Sequence, residues 1–146
     1  MYERILVPVD GSATATRGVR EAVRLAGGQA ARICLLYVTN DANMAMAESA
    51  YPTEELWKHI RADGEAVLKE ARDIVVAAGG SAETLLLDAR VGVVGALIVD
   101  QARSWHADVI VMGTHGRRGL GRMIVGSTAE YVLRHTDVPM LLVRHA

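Results

Sequence analysis

The stretch Val109-Ile-Val-Met-Gly113-Thr-His-Gly116, followed after nine further residues by Gly126-Ser127-Thr128, decides the fold that we expect for this chain. A short apolar run that stops at a glycine is typical of a buried strand leaving a sheet. Glycines and arginines are interspersed in the interval, and a helical pattern begins at about residue 129. The segment therefore predicts a strand, a glycine-rich loop and a helix in succession.

This loop combines three features that suit the binding of phosphate groups. Its glycines let the backbone approach a ligand closely and allow positive φ. The helix N-terminus offers unpaired N–H groups and the positive end of the helix dipole. Arg117, Arg118 and Arg122 add positive charge. We therefore expect phosphate binding here, with a merely flexible glycine-rich turn as the alternative.

The loop matches neither of two common nucleotide motifs. A P-loop requires Gly-Lys-Ser/Thr, whereas the two lysines of the chain, Lys58 and Lys69, are far away in the sequence. The dinucleotide fingerprint requires a last glycine where Ile124 stands, and it directly follows a strand. A different arrangement for phosphate binding is indicated.

The composition indicates one α/β domain spanning residues 1–146. Hydrophobic residues make up 51% of the chain and are mostly Ala, Val, Leu and Ile, which suits a parallel sheet covered by helices. Sixteen basic and seventeen acidic residues nearly cancel, so nothing favours a nucleic-acid or membrane-surface partner. With no signal segment before the first strand and no apolar run of membrane-spanning length, we expect a soluble, cytoplasmic protein.

Strands and helices alternate along the whole chain. Strands are predicted at 4–9, 32–38, 82–87, 108–112 and 138–143, and helices at about 13–26 or 15–26, 53–78, 93–103 and 129–134. Either Ser12 or Thr14 is expected to cap the first helix, and Thr53 the second. Strict alternation with buried strands predicts a three-layer, doubly wound, five-stranded parallel sheet in the order 3-2-1-4-5. Cys34, the only cysteine, is expected to pack as a small buried residue. Residues 39–53 show no periodicity and are expected to form a loop.

In such sheets a ligand binds at the carboxyl ends of the strands, where the strand order reverses. The reversal is expected between strands one and four, where the turn Pro8-Val-Asp10-Gly-Ser12 meets the loop that begins at Met112. Asp10 can bind a ribose hydroxyl or, through a metal ion, a phosphate; alternatively it serves as a turn or helix-cap residue. Val38, at the end of strand two, can contact a base or simply pack in the core.

These residues resemble the universal stress protein family. Its nucleotide motif, Gly-x2-Gly-x9-Gly-Ser/Thr, is met by Gly113, Gly116, Gly126 and Ser127. The stretches 5–12, 108–116 and 138–143 are similar to the family pattern, and the resemblance covers the whole chain. It implies a Rossmann-like domain of the adenine nucleotide alpha hydrolase-like type, usually dimeric, which binds ATP, or AMP or ADP, with Mg²⁺ or Mn²⁺ and acts under stress.

The resemblance also implies, by position, which residues surround the nucleotide. They are Pro8, Val9, Asp10 and Val38 around adenine and ribose; Met112, Gly113, His115, Gly116 and Arg117 along ribose and phosphates; and Gly126, Ser127 and Thr128 at the phosphates. Asp10 is the candidate metal ligand. His115 either contacts phosphate or fills the loop.

No catalytic set is visible in the sequence. Phosphoryl transfer needs a base or a water-positioning residue, and no carboxylate except Asp10 is placed near the expected phosphates. A phosphorelay receiver would require a second acid beside Asp10 and a lysine after the last strand, where Arg144-His-Ala146 stands instead. We therefore expect a nucleotide-dependent regulatory or signalling module without efficient catalysis. A slow ATPase and a dimeric interaction module with a structural nucleotide are the alternatives.

The last strand is expected to form a homodimer. By strand order it is a sheet edge, and Met140-Leu-Leu-Val143 is apolar and uncharged. Such an edge invites pairing with a second copy unless a helix covers it. The sequence identifies no other protein partner.

Overall fold

The computed structural model describes residues 1–28, 30–39, 53–89, 93–114 and 125–144. Strands and helices alternate in these ranges as β1 (Arg4–Pro8), α1 (Ala13–Ala26), β2 (Arg32–Thr39), α2 (Glu54–Ala77), β3 (Ala82–Asp88), α3 (Val94–Ser104), β4 (Val109–Gly113), α4 (Ser127–His135) and β5 (Met140–Val143). Apart from its end residues, Thr39 and Thr53, the predicted loop 39–53 lies outside the described residues.

The predicted sheet is confirmed. Five strands pair in the order β3-β2-β1-β4-β5, and every pairing is parallel. The central strand β1 has β2 on one side and β4 on the other, so that Ile5 lies opposite both Ile33 and Val109. The strand order therefore reverses between β1 and β4, and β3 and β5 are the two edges.

Two hydrophobic cores lie on opposite faces of the sheet because successive strand residues point to opposite sides. Ile5 and Val7 pack with α1 and α2, whereas Leu6 packs with α3 and α4. Cys34 lies in the second core at 3% exposure, as predicted. Its burial, with a smaller effect of Glu83 that Arg32 opposes, raises the pKa of the thiol to about 11.

Two helices begin at the predicted capping residues. Ser12 Oγ accepts the N–H of Ala15 at the start of α1, and Thr53 Oγ1 accepts the N–H of Leu56 at the start of α2, both at 3.1 Å. Gly27, with a φ of 57°, ends α1 in the left-handed conformation that glycine tolerates best. None of the helices in the described parts of the chain is long and apolar enough to span a membrane.

Most element ends lie within one residue of the sequence prediction, and the starts of two elements differ from it by two residues. Helix α4 begins at Ser127 and not near residue 129, because the extended Gly126 serves as its N-cap. Strand β5 begins at Met140 and not at 138. The N–H of Val138 is bonded to Thr136 Oγ1 at 3.0 Å, and Pro139 has no N–H with which to extend the ladder.

Close contacts at two glycines set the positions of the helices. A β-carbon at Gly64 in α2 would lie 2.7 Å from the ring of Tyr37 in β2. A β-carbon at Gly95 in α3 would lie 2.6 Å from the ring of Tyr131 in α4. Both glycines therefore let a helix approach its neighbour more closely than any larger residue would permit.

Candidate functional site

The strand register brings the predicted residues to one level at the carboxyl end of the sheet. Pro8 lies opposite Leu36 of β2, and Leu6 lies opposite Ile110 of β4, so Pro8 and Met112 fall at the same height. The N–H of Val9 continues the ladder to the carbonyl of Leu36 at 2.8 Å. Asp10 and Val38, each two residues further along the chain, come one step above this row.

Asp10 is held in a tight turn at the end of β1. Its Oδ1 accepts the N–H of Ser12 at 2.9 Å, and Gly11 between them has a φ of 85°. Asp10 therefore acts as a turn residue in the structure, which is one of the two roles expected for it. The same turn fixes the half-buried Asp10 carboxylate at the point where the strand order reverses. The other expected role, contact with a ribose hydroxyl or a metal ion, requires this position.

The end of β4 is joined to the start of α4 through a single residue. Thr114, at 4% exposure, donates its N–H to the carbonyl of Val143 in β5 at 2.9 Å, and its own carbonyl accepts the N–H of Gly126. The two ends of the glycine-arginine interval therefore lie side by side. This bond uses the Gly126 amide, so the N–H groups that α4 can offer a ligand are those of Ser127, Thr128 and Ala129.

Helix α4 differs from α1 and α2 in its N-terminus. Its N-cap, Gly126, has no side chain with which to accept a first-turn N–H, whereas Ser12 and Thr53 cap α1 and α2. Ser127 is exposed and Thr128 is half-buried. The first-turn amides and the positive end of the dipole therefore face the carboxyl edge of the sheet, where an anion is stabilised.

Gly113 has a packing role that the sequence did not indicate. A β-carbon there would lie 2.7 Å from Thr14 Cγ2 and 3.1 Å from Thr14 Cβ. Thr14, at 4% exposure, belongs to the first turn of α1, which lies against the end of β4. Neither Gly113 nor Gly126 has a positive φ. The close approach of α1 is thus one reason for a glycine at position 113, independent of any close approach of a ligand to the backbone.

The structure describes most, but not all, of the predicted site residues. Those that meet at the carboxyl end of the sheet are Pro8, Val9, Asp10, Val38, Met112, Gly113, Gly126, Ser127 and Thr128. The side chains of Val9 and Met112, each at 6% exposure, are packed in opposite cores. These two residues therefore offer a ligand mainly backbone atoms. His115, Gly116 and Arg117 lie outside the described residues.

Val38 and its neighbours close the site on the side of β2 and β3. Val38 is half-buried and packs against the core that contains α3 and α4. It therefore has the core-packing role that was expected as one of its two alternatives. Next to it, the hydroxyl of the fully buried Thr39 donates to Asp88 Oδ1 at 3.2 Å. This polar pair stands at the ends of β2 and β3 and was missed in the sequence, because neither residue belongs to a recognisable motif.

Nothing in the described part of the chain forms a metal site by itself. No group of three or more His, Cys, Asp or Glu side chains with suitable geometry occurs there. Asp10 is therefore a single candidate ligand. A cavity of about 520 Å³ between α1 and α2 shares Val9 and Gly11 with the turn, but it opens on the opposite side from α4.

Comparison with protein families gives a match over almost the whole chain. The model of the universal stress protein family matches residues 1–144. A universal stress protein from Methanocaldococcus jannaschii is 30% identical over 148 residues, which cover 99% of this chain and 83% of that protein.

Solved structures show the same fold. The universal stress protein UspA from Lactobacillus plantarum superposes with a TM-score of 0.72 at 30% identity and 98% coverage of both chains. The universal stress protein from Archaeoglobus fulgidus, in complex with dAMP, has a TM-score of 0.71 at 24% identity, covering 97% of this chain and 98% of that one. A universal stress protein in complex with cAMP and one from Arabidopsis thaliana with AMP bound have TM-scores of 0.68 and 0.69 at 24% and 17% identity.

Proposed function

Because this chain belongs to the universal stress protein family, we propose that it binds an adenine nucleotide and acts as a nucleotide-dependent regulatory or signalling module in a stress response. In this proposal the chain is a single domain that binds one molecule of ATP, or of AMP or ADP. The cAMP, dAMP and AMP that occupy three structures of the same fold share the adenine ring, which supports this choice of base.

One observation carries the proposal: the bonding of Thr114 to both β5 and Gly126. It draws the end of β4 to the uncapped start of α4, beside the turn that holds Asp10. Adenine and ribose then lie over Pro8, Val9, Asp10 and Val38, and the phosphates lie at Ser127 and Thr128. Met112, Gly113, His115, Gly116, Arg117 and Gly126 complete the binding site in this proposal.

The residues fit a metal ion that arrives with the nucleotide. Mg²⁺ typically binds one or two carboxylates together with substrate phosphates and water, and Mn²⁺ accepts similar oxygen ligands. A single oriented carboxylate, Asp10, matches this requirement, whereas a metal held by protein alone would need more ligands than the described residues provide. In the alternative arrangement Asp10 accepts a ribose hydroxyl.

Regulation is favoured over catalysis because the site holds phosphate without an evident means to activate water. Of the described carboxylates at this end, Asp10 and Asp88 already accept hydrogen bonds from Ser12 and Thr39. Glu130, in the first turn of α4, is paired with Arg134 at 2.9 Å. We assign no catalytic residue, and we expect ATP hydrolysis at least a thousandfold slower than the roughly 10 per second of typical enzymes. Turnover of several per second, abolished by Asp10→Ala, would favour an ATPase instead.

The binding site is tested by removing one amide while keeping the helix. Ser127 is the first residue of α4 and follows an extended Gly126, with φ −70° and ψ 163°, so Ser127→Pro is compatible with the backbone. Calorimetry should give micromolar affinity for ATP in the wild type, about −8 kcal/mol, and at least a tenfold loss in the proline variant. Ser127→Ala separates the hydroxyl from the amide.

The matched control is Glu54→Pro, at the first position of α2. That helix is capped by Thr53 and is not part of the proposed site. Its proline variant should bind ATP as the wild type does. Equal affinity in the wild type and in Ser127→Pro would refute the phosphate site at α4.

We also propose a homodimer through β5. This strand is a sheet edge, and Leu141 on it is 38% exposed. A second copy that pairs about a two-fold axis covers both edges at once. Light scattering should give twice the 15.7 kDa chain mass for the wild type and a value near one chain for Leu141→Lys.

Thr84→Lys on the other edge strand, β3, is the control for the dimer and should leave the mass at two chains, because Thr84 is exposed and lies outside the proposed interface. A wild-type protein that is monomeric at micromolar concentration would contradict the proposed interface. A dimer that dissociates in Thr84→Lys but persists in Leu141→Lys would contradict it as well.

A further inference from the structure

Arg17, in the second turn of α1, lies at the corner where β4 and β5 end. Its Nη1 donates to the backbone carbonyl of Arg144 at 3.1 Å, and Arg144 directly follows β5. One turn earlier on the same helix, Thr14 packs against Gly113 at the end of β4. The guanidinium is therefore held beside the carboxyl ends of both strands.

This corner is positively charged. Among the described residues, neither Arg17 nor Arg144 forms an ion pair, whereas four other arginines pair with carboxylates: Arg24, Arg32, Arg103 and Arg134. The first turn of α1 contains no acidic residue either. The positive end of the α1 dipole therefore adds to the charge of Arg17. A guanidinium has five N–H donors, so the bond to Arg144 leaves donors for a ligand.

Two hydrogen bonds connect the corner with the start of α4. The carbonyl of Val143 accepts the N–H of Thr114, and the carbonyl of Thr114 accepts the N–H of Gly126. With neighbouring strands about 4.8 Å apart, the guanidinium lies on the order of 10 Å from the first amides of α4. Above the ends of β4 and β5 the sheet no longer separates α1 from α4. A chain of phosphates anchored at α4 can extend toward Arg17, whereas the one phosphate of AMP is too short to do so.

We propose that Arg17 contacts the terminal phosphates of the bound nucleotide and determines the preference of this chain for ATP over AMP. The inference rests on the proposed function, because it requires a nucleotide at α4. A guanidinium suits the role since its planar fork donates two parallel hydrogen bonds to phosphate oxygens. Arg17 is a specificity-determining residue in this account and takes no part in chemistry.

The test compares the affinities of two nucleotides in matched variants. Calorimetry with ATP and with AMP, each in the presence of Mg²⁺, is carried out on the wild type, Arg17→Gln, Arg17→Lys and Arg20→Gln. Arg20 is the control because it is an exposed arginine of the same helix, lines the cavity on the side of α2, and carries the same charge. Thermal unfolding of each variant checks that the fold is retained.

In Arg17→Gln we expect ATP to bind about tenfold more weakly and AMP to bind within twofold of the wild type, as the loss of a charged hydrogen bond predicts. Arg17→Lys should lie between, and Arg20→Gln should match the wild type. Equal losses for ATP and AMP in Arg17→Gln, no loss for either, or the same ATP loss in Arg20→Gln would overturn the assignment while leaving nucleotide binding intact. A wild type that binds neither nucleotide would overturn the proposed function itself.

Discussion

Replacing Gly113 with alanine tests the second of two explanations for a glycine at the end of β4. One is close approach of a ligand to the backbone; the other is close approach of α1. The added β-carbon would lie 2.7 Å from Thr14 Cγ2, 3.1 Å from Thr14 Cβ and 3.2 Å from the Thr14 carbonyl carbon. Carbon atoms in favourable contact are about 3.5–4.0 Å apart, so α1 or β4 has to move by several tenths of an ångström.

The expected destabilisation follows from these distances. Adding a methyl group to a packed core typically costs about 1–3 kcal/mol, and alanine returns roughly 0.5–1 kcal/mol because glycine loses more backbone freedom on folding. We expect Gly113→Ala to lower the free energy of unfolding by about 1–2 kcal/mol. For a chain of this size that corresponds to a midpoint lower by roughly 2–8 °C. Thr14→Ser removes the nearest methyl group, so the same substitution should cost less in that background.

Gly18→Ala provides the matched control at the same interface. Its β-carbon would lie 3.9 Å from the Gly113 nitrogen, which is an ordinary contact, and alanine favours a helix by about 1 kcal/mol. Thermal and urea unfolding followed by circular dichroism should therefore shift in opposite directions for the two glycines. The packing argument would be refuted if Gly113→Ala were as stable as the wild type, or if its cost were the same in the Thr14→Ser background.

Three further predictions concern stability away from the binding site. Gly95→Ala should lower the urea midpoint by an amount equivalent to about 1–3 kcal/mol, because its β-carbon would meet the Tyr131 ring at 2.6 Å; an unchanged midpoint would contradict the packing described for α3 and α4. Asp108→Ala should lower the free energy of unfolding by about 1–3 kcal/mol, because one oxygen of the Asp108 carboxylate accepts two N–H groups at the start of β1, both at 2.9 Å. Asp137→Ala, at an exposed position, is the control, and a comparable loss there would indicate a nonspecific charge effect. Burial holds the pKa of the Cys34 thiol at about 11 in the folded state, whereas the thiol of the unfolded chain loses its proton near pH 9. The free energy of unfolding should therefore fall by about 2 kcal/mol more between pH 9 and 11 in the wild type than in Cys34→Ala. Parallel pH profiles of the two proteins would argue against the raised pKa.

The alternation of elements was predictable because both periodicities are strong in this chain. Val109 to Met112 is uniformly apolar, and the helices repeat their apolar residues at helical spacing, so the layers and the strand order follow from general rules of parallel sheets. Thr53 was predicted as a cap, and Ser12 was one of two candidates with Thr14, because serine and threonine favour that position. The boundaries at Ser127 and Met140 were wrong by two residues each, since the first depends on the extended conformation of Gly126 and the second on the bond from the Val138 N–H to Thr136.

The position of the candidate site residues at the carboxyl end of the sheet was predictable, but their packing was not. Asp10 and Gly126 stand where strand order and the helix start place them. The contact between Gly113 and Thr14 joins residues about a hundred positions apart, and no local pattern encodes which helix will press on the end of β4. The same holds for the bond between Arg17 and Arg144. The binding roles of all the candidate residues stay predictions, and His115, Gly116 and Arg117 lie outside the described residues.

The central claim is that an adenine nucleotide binds at the carboxyl end of β1 and β4. Amide NMR of the labelled protein, titrated with ATP and Mg²⁺, tests it most directly because every N–H reports its own surroundings. We expect saturable shifts at Asp10, Val38, Ser127 and Thr128, with little change at Trp105, which lies at the opposite end of the sheet. No saturable shifts, or shifts that centre on Trp105, would contradict the account.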